Sequence, residues 1–302
     1  MNSLLFLAFS LSLQLPEDPG QLQDAGGAHF KFAQIRVPVW VNDRHHRSVL
    51  NLKKGHFKLF VDEKTVEPNY FSTSFEQEVD ILFLLDLSGS MALGGKLEAS
   101  KQVLTYLIRS LRSKDRWQLI VFAEKQVLKV LDNEHREQLE GTLAKARAYG
   151  KTALYDALLK APAYLQNRGT EQKAVFLFTD GHDNNSTLDL EATRYLMKNL
   201  TVPLFAIGIM DGFLPSQEAS EEPLNVNTLK TLTTAGGGEL LLARDRSDLL
   251  DMKNMLRENL RAHYILGFMV ERGEGETRHQ IRVKTKKRLH IRYRKSYIGM
   301  PP

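Results

Sequence analysis

Cysteine is absent from the 302 residues. That excludes disulfide scaffolds, cysteine nucleophiles, zinc–cysteine sites, iron–sulfur clusters and a cysteine-linked lipid anchor together. An exported location would require no oxidative folding. Long hydrophobic runs are also lacking. The nearest is Leu4 to Leu15, broken by Ser10, Ser12 and Gln14. It falls short of the roughly 20 apolar residues that a spanning helix needs, so no transmembrane segment is expected. Acidic residues are missing from Thr277 to Pro302, which holds nine Lys/Arg. The whole chain carries a formal charge of +5, so the remainder is net negative and the basicity belongs to a tail. The tail has no aromatic interleaving of the kind single-strand binding uses. No nucleic-acid partner is expected. The tail reads as the wet face of a β-sheet, with weak contact to anionic surfaces as the alternative.

What remains is an ordinary globular composition, 42% hydrophobic and 25% charged. The apolar run before Pro16 fits a secretory signal peptide over 1–22, although no Lys or Arg precedes it and no small-x-small cleavage site is evident. A secreted, periplasmic or envelope location follows, or a cytoplasmic one if the run is not a signal. An apolar N-terminal strand is the other reading of the same residues.

Three zones follow. Phe30 to Val41 alternates with the period of a strand, and Phe57 to Val61 is a second short strand. From Val79 to Leu85 a nearly continuous apolar run has the character of a strand buried on both faces. Helical and strand patterns then alternate up to a last helix, Asp248 to Arg261. This predicts an α/β fold, doubly wound around a mostly parallel sheet with helices on both faces. Beyond His263, Tyr264 to Val270, Gln280 to Thr285 and Leu289 to Tyr293 return to strand alternation, with Arg282, Lys284, His290, Arg292 and Arg294 on the outer face. Neither flank has enough strands to close a core alone. The two are expected to pair into one small β-sandwich, with boundaries at 28–76, 77–262 and 263–298.

One constellation carries chemistry. The strand from Val79 ends in Asp86-Leu87-Ser88-Gly89-Ser90, at the carboxyl end where open α/β sheets bind ligands. Gly150-Lys151-Thr152 opens a later helix, and Thr179-Asp180-Gly181 ends another buried strand. If these strands are adjacent, Asp86, Ser88, Ser90, Thr152 and Asp180 converge. Five hard oxygen donors with two negative charges suit Mg²⁺ or Mn²⁺. A metal so sparsely supplied with carboxylate would welcome an Asp or Glu from outside.

Competing motifs are weaker. Gly94-Gly95-Lys96 lacks the spacing of a phosphate-binding loop, leaving Lys96 as a solvated residue near a helix start. Ser88, Asp180 and His182 lack the Gly-x-Ser-x-Gly elbow of a hydrolase. His182 reads as a loop residue at the pocket rim. His45-His46 sit in a turn between charged residues, and Asn184-Asn185-Ser186 and Asn199-Leu200-Thr201 match a short glycosylation sequon.

At its five oxygen residues the chain resembles the von Willebrand factor type A domain, whose metal-ion-dependent adhesion site uses Asp-x-Ser-x-Ser, a distant Thr and a distant Asp. The resemblance spans about Glu78 to Ala262, with supporting phrases at Asp80 to Asp86, Thr152 to Leu158 and Phe178 to Gly181. Val39 to Asp43 and Tyr264 to Phe268 resemble bacterial secreted proteins of the "VWFA-related" type. The resemblance implies a non-enzymatic, metal-dependent adhesion module whose Mg²⁺ or Mn²⁺ is completed by an acidic residue of a protein or peptide. A scaffold with a structural metal and a metal-dependent hydrolase are the alternatives. Integrin β subunits carry extra acidic residues just after the motif; Met91, Ala92 and Leu93 stand there, which implies one metal and no neighbour. In related adhesion domains the final helix shifts when the metal takes a ligand. Here Asp248 to Arg261 runs straight into the next strand, so such a shift would pull on the sandwich; a rigid domain whose short junction merely fixes orientation is the other reading.

Overall fold

Strand β1 (Phe32–Asn42) is followed by β2 (Phe57–Val61), β3 (Lys64–Val66), β4 (Tyr70–Thr73) and β5 (Val79–Asp86). Then come α1 (Lys96–Ser110), β6 (Arg116–Phe122), β7 (Lys129–Asp132), α2 (Leu139–Lys145), α3 (Leu154–Leu165) and β8 (Gln172–Phe178). Next are α4 (Leu190–Asn199), β9 (Leu204–Ile209), α5 (Val226–Ala235), β10 (Leu240–Ala243) and β11 (His263–Glu271). The last strands are β12 (Arg278–Thr285), β13 (His290–Tyr293) and β14 (Ser296–Ile298). This computed structural model describes residues 32–299, apart from 45–46, 74–77, 125–128, 166–171, 200–201, 211–223, 245–246, 249–250, 253–262, 272–276 and 287–288. The expected signal peptide, His45-His46 and most of the helix expected over Asp248 to Arg261 lie outside the described residues.

The central sheet runs β10-β9-β8-β5-β6-β7, parallel throughout except for the edge strand β7. Every residue of β5 is buried, because alternate side chains feed two separate cores. Ile81, Phe83 and Leu85 join Val103, Leu104 and Leu107 of α1 and Leu139 and Leu143 of α2. Leu82 and Leu84 join Leu154 and Leu158 of α3, Met197 of α4 and Leu229 and Leu232 of α5. The fold is therefore the doubly wound α/β architecture that the sequence predicts.

The flanking strands form two four-stranded sheets, β13-β1-β11-β4 and β14-β12-β2-β3. Each sheet draws on both ends of the chain: β1 pairs with β11 and β13, β4 with β11, and β2 with β12. Ile35, Val37, Val39, Val41, Leu266 and Phe268 pack against Phe57, Leu59, Ile281, Val283 and Tyr297. Tyr264 fixes the loop after β1: its hydroxyl donates to Val49 O (2.7 Å) and accepts from Leu52 N–H (3.0 Å).

The outer face of β13 departs from the reading of a wet surface. Arg294 is buried, and Arg292 stacks over Trp40 and Phe205, 5.1 and 5.3 Å from the ring centroids. Burial lowers both guanidinium pKa values to about 10. The reason is tertiary. Trp40 pairs across the sheet with Arg292 on one side and His263 on the other. This row sits against Phe205, whose ring meets Trp40 edge-on at 5.7 Å. Glu239, just before β10, forms an ion pair with Arg292. Gly237, with φ +72°, packs so tightly on Arg294 that a Cβ there would lie 2.8 Å from the Arg294 Cβ.

Because β2 pairs with β12 and β1 with β13, deleting Gln280 to Pro302 strips a partner from each. The truncated protein is expected to be cleaved between Phe32 and Val61 under limited proteolysis that spares the full chain. Equal protection in both forms would contradict a shared core.

Candidate metal site

The strand order reverses beside β5, which pairs with β6 on one side and β8 on the other. Residues at the carboxyl ends of β5 and β8 thus meet at the topological switch point. Asp86 is the last residue of β5, and Asp180 lies two residues beyond β8. Both are completely buried, as are Ser88 and Thr152; Ser90 is half-buried and marks the open side.

Hydrogen bonds lace the three loops together. Ser88 N–H donates to Asp86 Oδ1 at 2.7 Å, and the Thr179 hydroxyl donates to Asp86 Oδ2 at 2.6 Å. The Ser88 and Ser90 hydroxyls are 3.3 Å apart. Tyr149 N–H donates to Leu87 O (2.7 Å) and Gly89 N–H to Gly150 O (3.0 Å), joining the first loop to the Thr152 loop. Thr152 N–H donates to Asn184 Oδ1 (2.9 Å), and its carbonyl accepts from the N–H groups of Asn184 and Asn185. That joins the Thr152 loop to the Asp180 loop. Gly181 makes the turn possible: its φ is +82°, and a Cβ would lie 2.7 Å from Leu229 Cγ. Asp156 is buried too, but its carboxylate is engaged by Thr187 and Leu188 and ties α3 to this loop.

Burial pushes the Asp86 carboxyl up to about 7, with the nearby Asp180 charge adding to the rise. The Thr179 hydroxyl and Ser88 N–H oppose it. Each carboxylate oxygen has two lone pairs, so one hydrogen bond on each still leaves both oxygens able to coordinate. The donor set of two carboxylates and three hydroxyls is all oxygen and fits a hard divalent cation. Among the described residues no three His, Asp or Glu side chains gather into a metal cage, so any cation here would depend on the hydroxyls.

Sequence reasoning missed three residues at this place. Thr179 holds Asp86, and Asn184 holds the Thr152 loop rather than standing free as a sequon. Asn199-Leu200-Thr201 is not described beyond the backbone of Asn199. Lys96, expected in solvent, is buried, with Nζ 3.2 Å from Asp180 Oδ2. His182 is partly buried, and its N–H lies 3.4 Å from Asp180 Oδ1.

Residues 80–248, more than half of the chain, match the family model described as von Willebrand factor type A domain. The chain belongs to this family. No curated protein matches it. Among solved structures, the vWA chain resembles BatB from Bacteroides thetaiotaomicron at 16% identity and a TM-score of 0.46, covering 60% of this chain and 98% of that one. A von Willebrand factor type A protein from Catenulispora acidiphila aligns at 15% identity and a TM-score of 0.48, covering 89% and 72%. The manganese-loaded TRAP protein of Plasmodium vivax aligns at 16% and 0.46, covering 75% and 96%.

Proposed function

We propose that this vWA protein is a non-enzymatic, metal-dependent protein-binding module of the adhesion type. Asp86, Ser88, Ser90, Thr152 and Asp180 hold one Mg²⁺ or Mn²⁺, and an acidic residue of a partner protein or peptide completes its coordination. The observation that carries this reading is the lacing of three loops around an all-oxygen donor set at the switch point. When bound, the metal supplies the Lewis-acidic centre that a carboxylate recognises. The chain's own residues orient it: Thr179 and Ser88 fix the Asp86 carboxylate, and half-buried Ser90 lies where a ligand enters.

A purely structural metal is less well supported. Asp180 already has an internal counter-charge in Lys96, so its own burial does not depend on a cation. The protein is taken to be exported to the envelope or beyond, on the strength of its N-terminal sequence. Among the described residues no helix is long and apolar enough to cross a membrane.

Isothermal titration with Mn²⁺ tests the assignment. One site per chain is expected, lost in Asp86→Ala and in Asp180→Ala. Undiminished uptake by either variant would remove that residue from the site.

A further inference from the structure

Lys96 opens α1 and is among the largest fully buried side chains of the protein. Gly94 and Gly95, with φ of +61° and +78°, both lie in the left-handed region immediately before it. This double reversal sends the chain from the turn around Met91 into α1 with Lys96 pointing inward. A buried ammonium is costly unless it is paired. Its partner is Asp180, and the two side chains are 1% and 0% exposed. In the Lys101–Glu98 and Arg292–Glu239 pairs, by contrast, the carboxylate partner is 58% and 40% exposed.

We propose that Lys96 is an internal counter-ion that sets the charge of the metal site: it holds Asp180 when no metal is bound, opposes the metal's entry, and leaves the loaded site with a surplus positive charge that selects an anionic ligand. The inference rests on the metal-binding reading above and adds a residue to it. Asp86, Asp180 and Lys96 together sum to one negative charge when both carboxylates are ionised. A divalent cation turns that into one positive charge. A neutral hydroxyl or amide from a partner would leave the surplus in place within a buried, weakly screened setting. A carboxylate cancels it. Without Lys96 the loaded site would be neutral, and the preference for an acidic partner would weaken.

The test uses the full chain with Lys96→Met and Lys96→Gln, the second keeping a hydrogen-bond donor for Asp180 if the first fails to fold. Three readouts are taken: Mn²⁺ affinity by titration, melting temperature in chelator, and the gain in Mn²⁺ affinity when acetate replaces chloride at fixed ionic strength. Removing a like charge within a few ångströms is expected to tighten Mn²⁺ binding about tenfold or more. The chelator-treated variants should melt lower than wild type, because Asp180 loses its partner, and the acetate effect should shrink. Mn²⁺ affinity that is unchanged or weaker in the variants overturns the proposal while leaving the metal site standing. Failure of wild type and variants alike to take up Mn²⁺ is a different result: it removes the metal reading, and the competition with it.

Discussion

Asp86→Asn is expected to raise the melting temperature of the chelator-treated protein at pH 8, and to abolish the rise expected when Mg²⁺ or Mn²⁺ is added to the wild type. The cause is the cost of an ionised carboxylate at a completely buried position. In the unfolded chain this group titrates near 3.8, and in the folded one near 7. The folded state therefore holds the proton more tightly. The stability this group contributes is complete below about pH 4 and is lost as pH rises through about 7. The loss is on the order of a few kcal/mol, or roughly 5–10 °C. Asparagine keeps the shape without the charge: its Oδ1 can accept from the Ser88 N–H, while its Nδ2 must donate to the Thr179 hydroxyl instead of accepting from it. Melting curves from pH 5 to 8 in chelator should fall for wild type and stay flatter for the variant. A bound cation reverses the sign, since it needs the ionised form: wild-type metal affinity should drop as pH falls below 7. Parallel pH profiles for the two proteins would show that Asp86 is not the group responsible.

The second large effect is expected at the other end of the sheet. Trp40→Ala removes a side chain that is 2% exposed and touches both substructures. It packs edge-on to Phe205, lies 4.8 Å from the His263 ring and is covered by Arg292. The cost should be about 3–5 kcal/mol, with more than packing at stake. Burial holds the pKa of His263 down to about 4, and opening the seam admits water to it and to Arg292. Calorimetry should then resolve separate melting of the sandwich and the vWA sheet, where a single transition is expected of the wild type. A single transition at an unchanged midpoint would mean that Trp40 does not join them.

Much of this arrangement was legible in the residues themselves. The run from Val79 to Leu85 announces a strand with two buried faces, and Asp-x-Ser-x-Ser marks the loop at its end that meets the Thr152 loop. Strand alternation on both sides of the α/β region foretold the sandwich. The short strands β3, β4 and β14 were not foreseen. Their patterns are brief and half polar, and pairing with distant partners stabilises them: Tyr70 to Thr73 is a strand because β11 lies beside it. Lys96 was misread for a related reason. A lysine opening an amphipathic helix looks solvated, and only the path set by Gly94 and Gly95, with Asp180 84 residues away, makes it a buried cation. Arg292 and Arg294 alternate as an outer face should, but an outer face of one sheet is the inner face of a seam once another element covers it.

That seam lies against Val79, Gln172 and Phe205, at the amino ends of β5, β8 and β9. The loops bearing Asp86, Thr152 and Asp180 lie at the opposite, carboxyl ends. Traction applied between those loops and the sandwich would therefore run lengthwise along β5 and β8. Parallel neighbours would share that load side by side through Ile81 to Leu85 paired with Ala174 to Phe178. Such a ladder yields only when its rungs slide together, whereas one pulled crosswise opens a rung at a time. The line from the loops to the seam therefore follows β5 and β8, two strands buried along nearly their whole length.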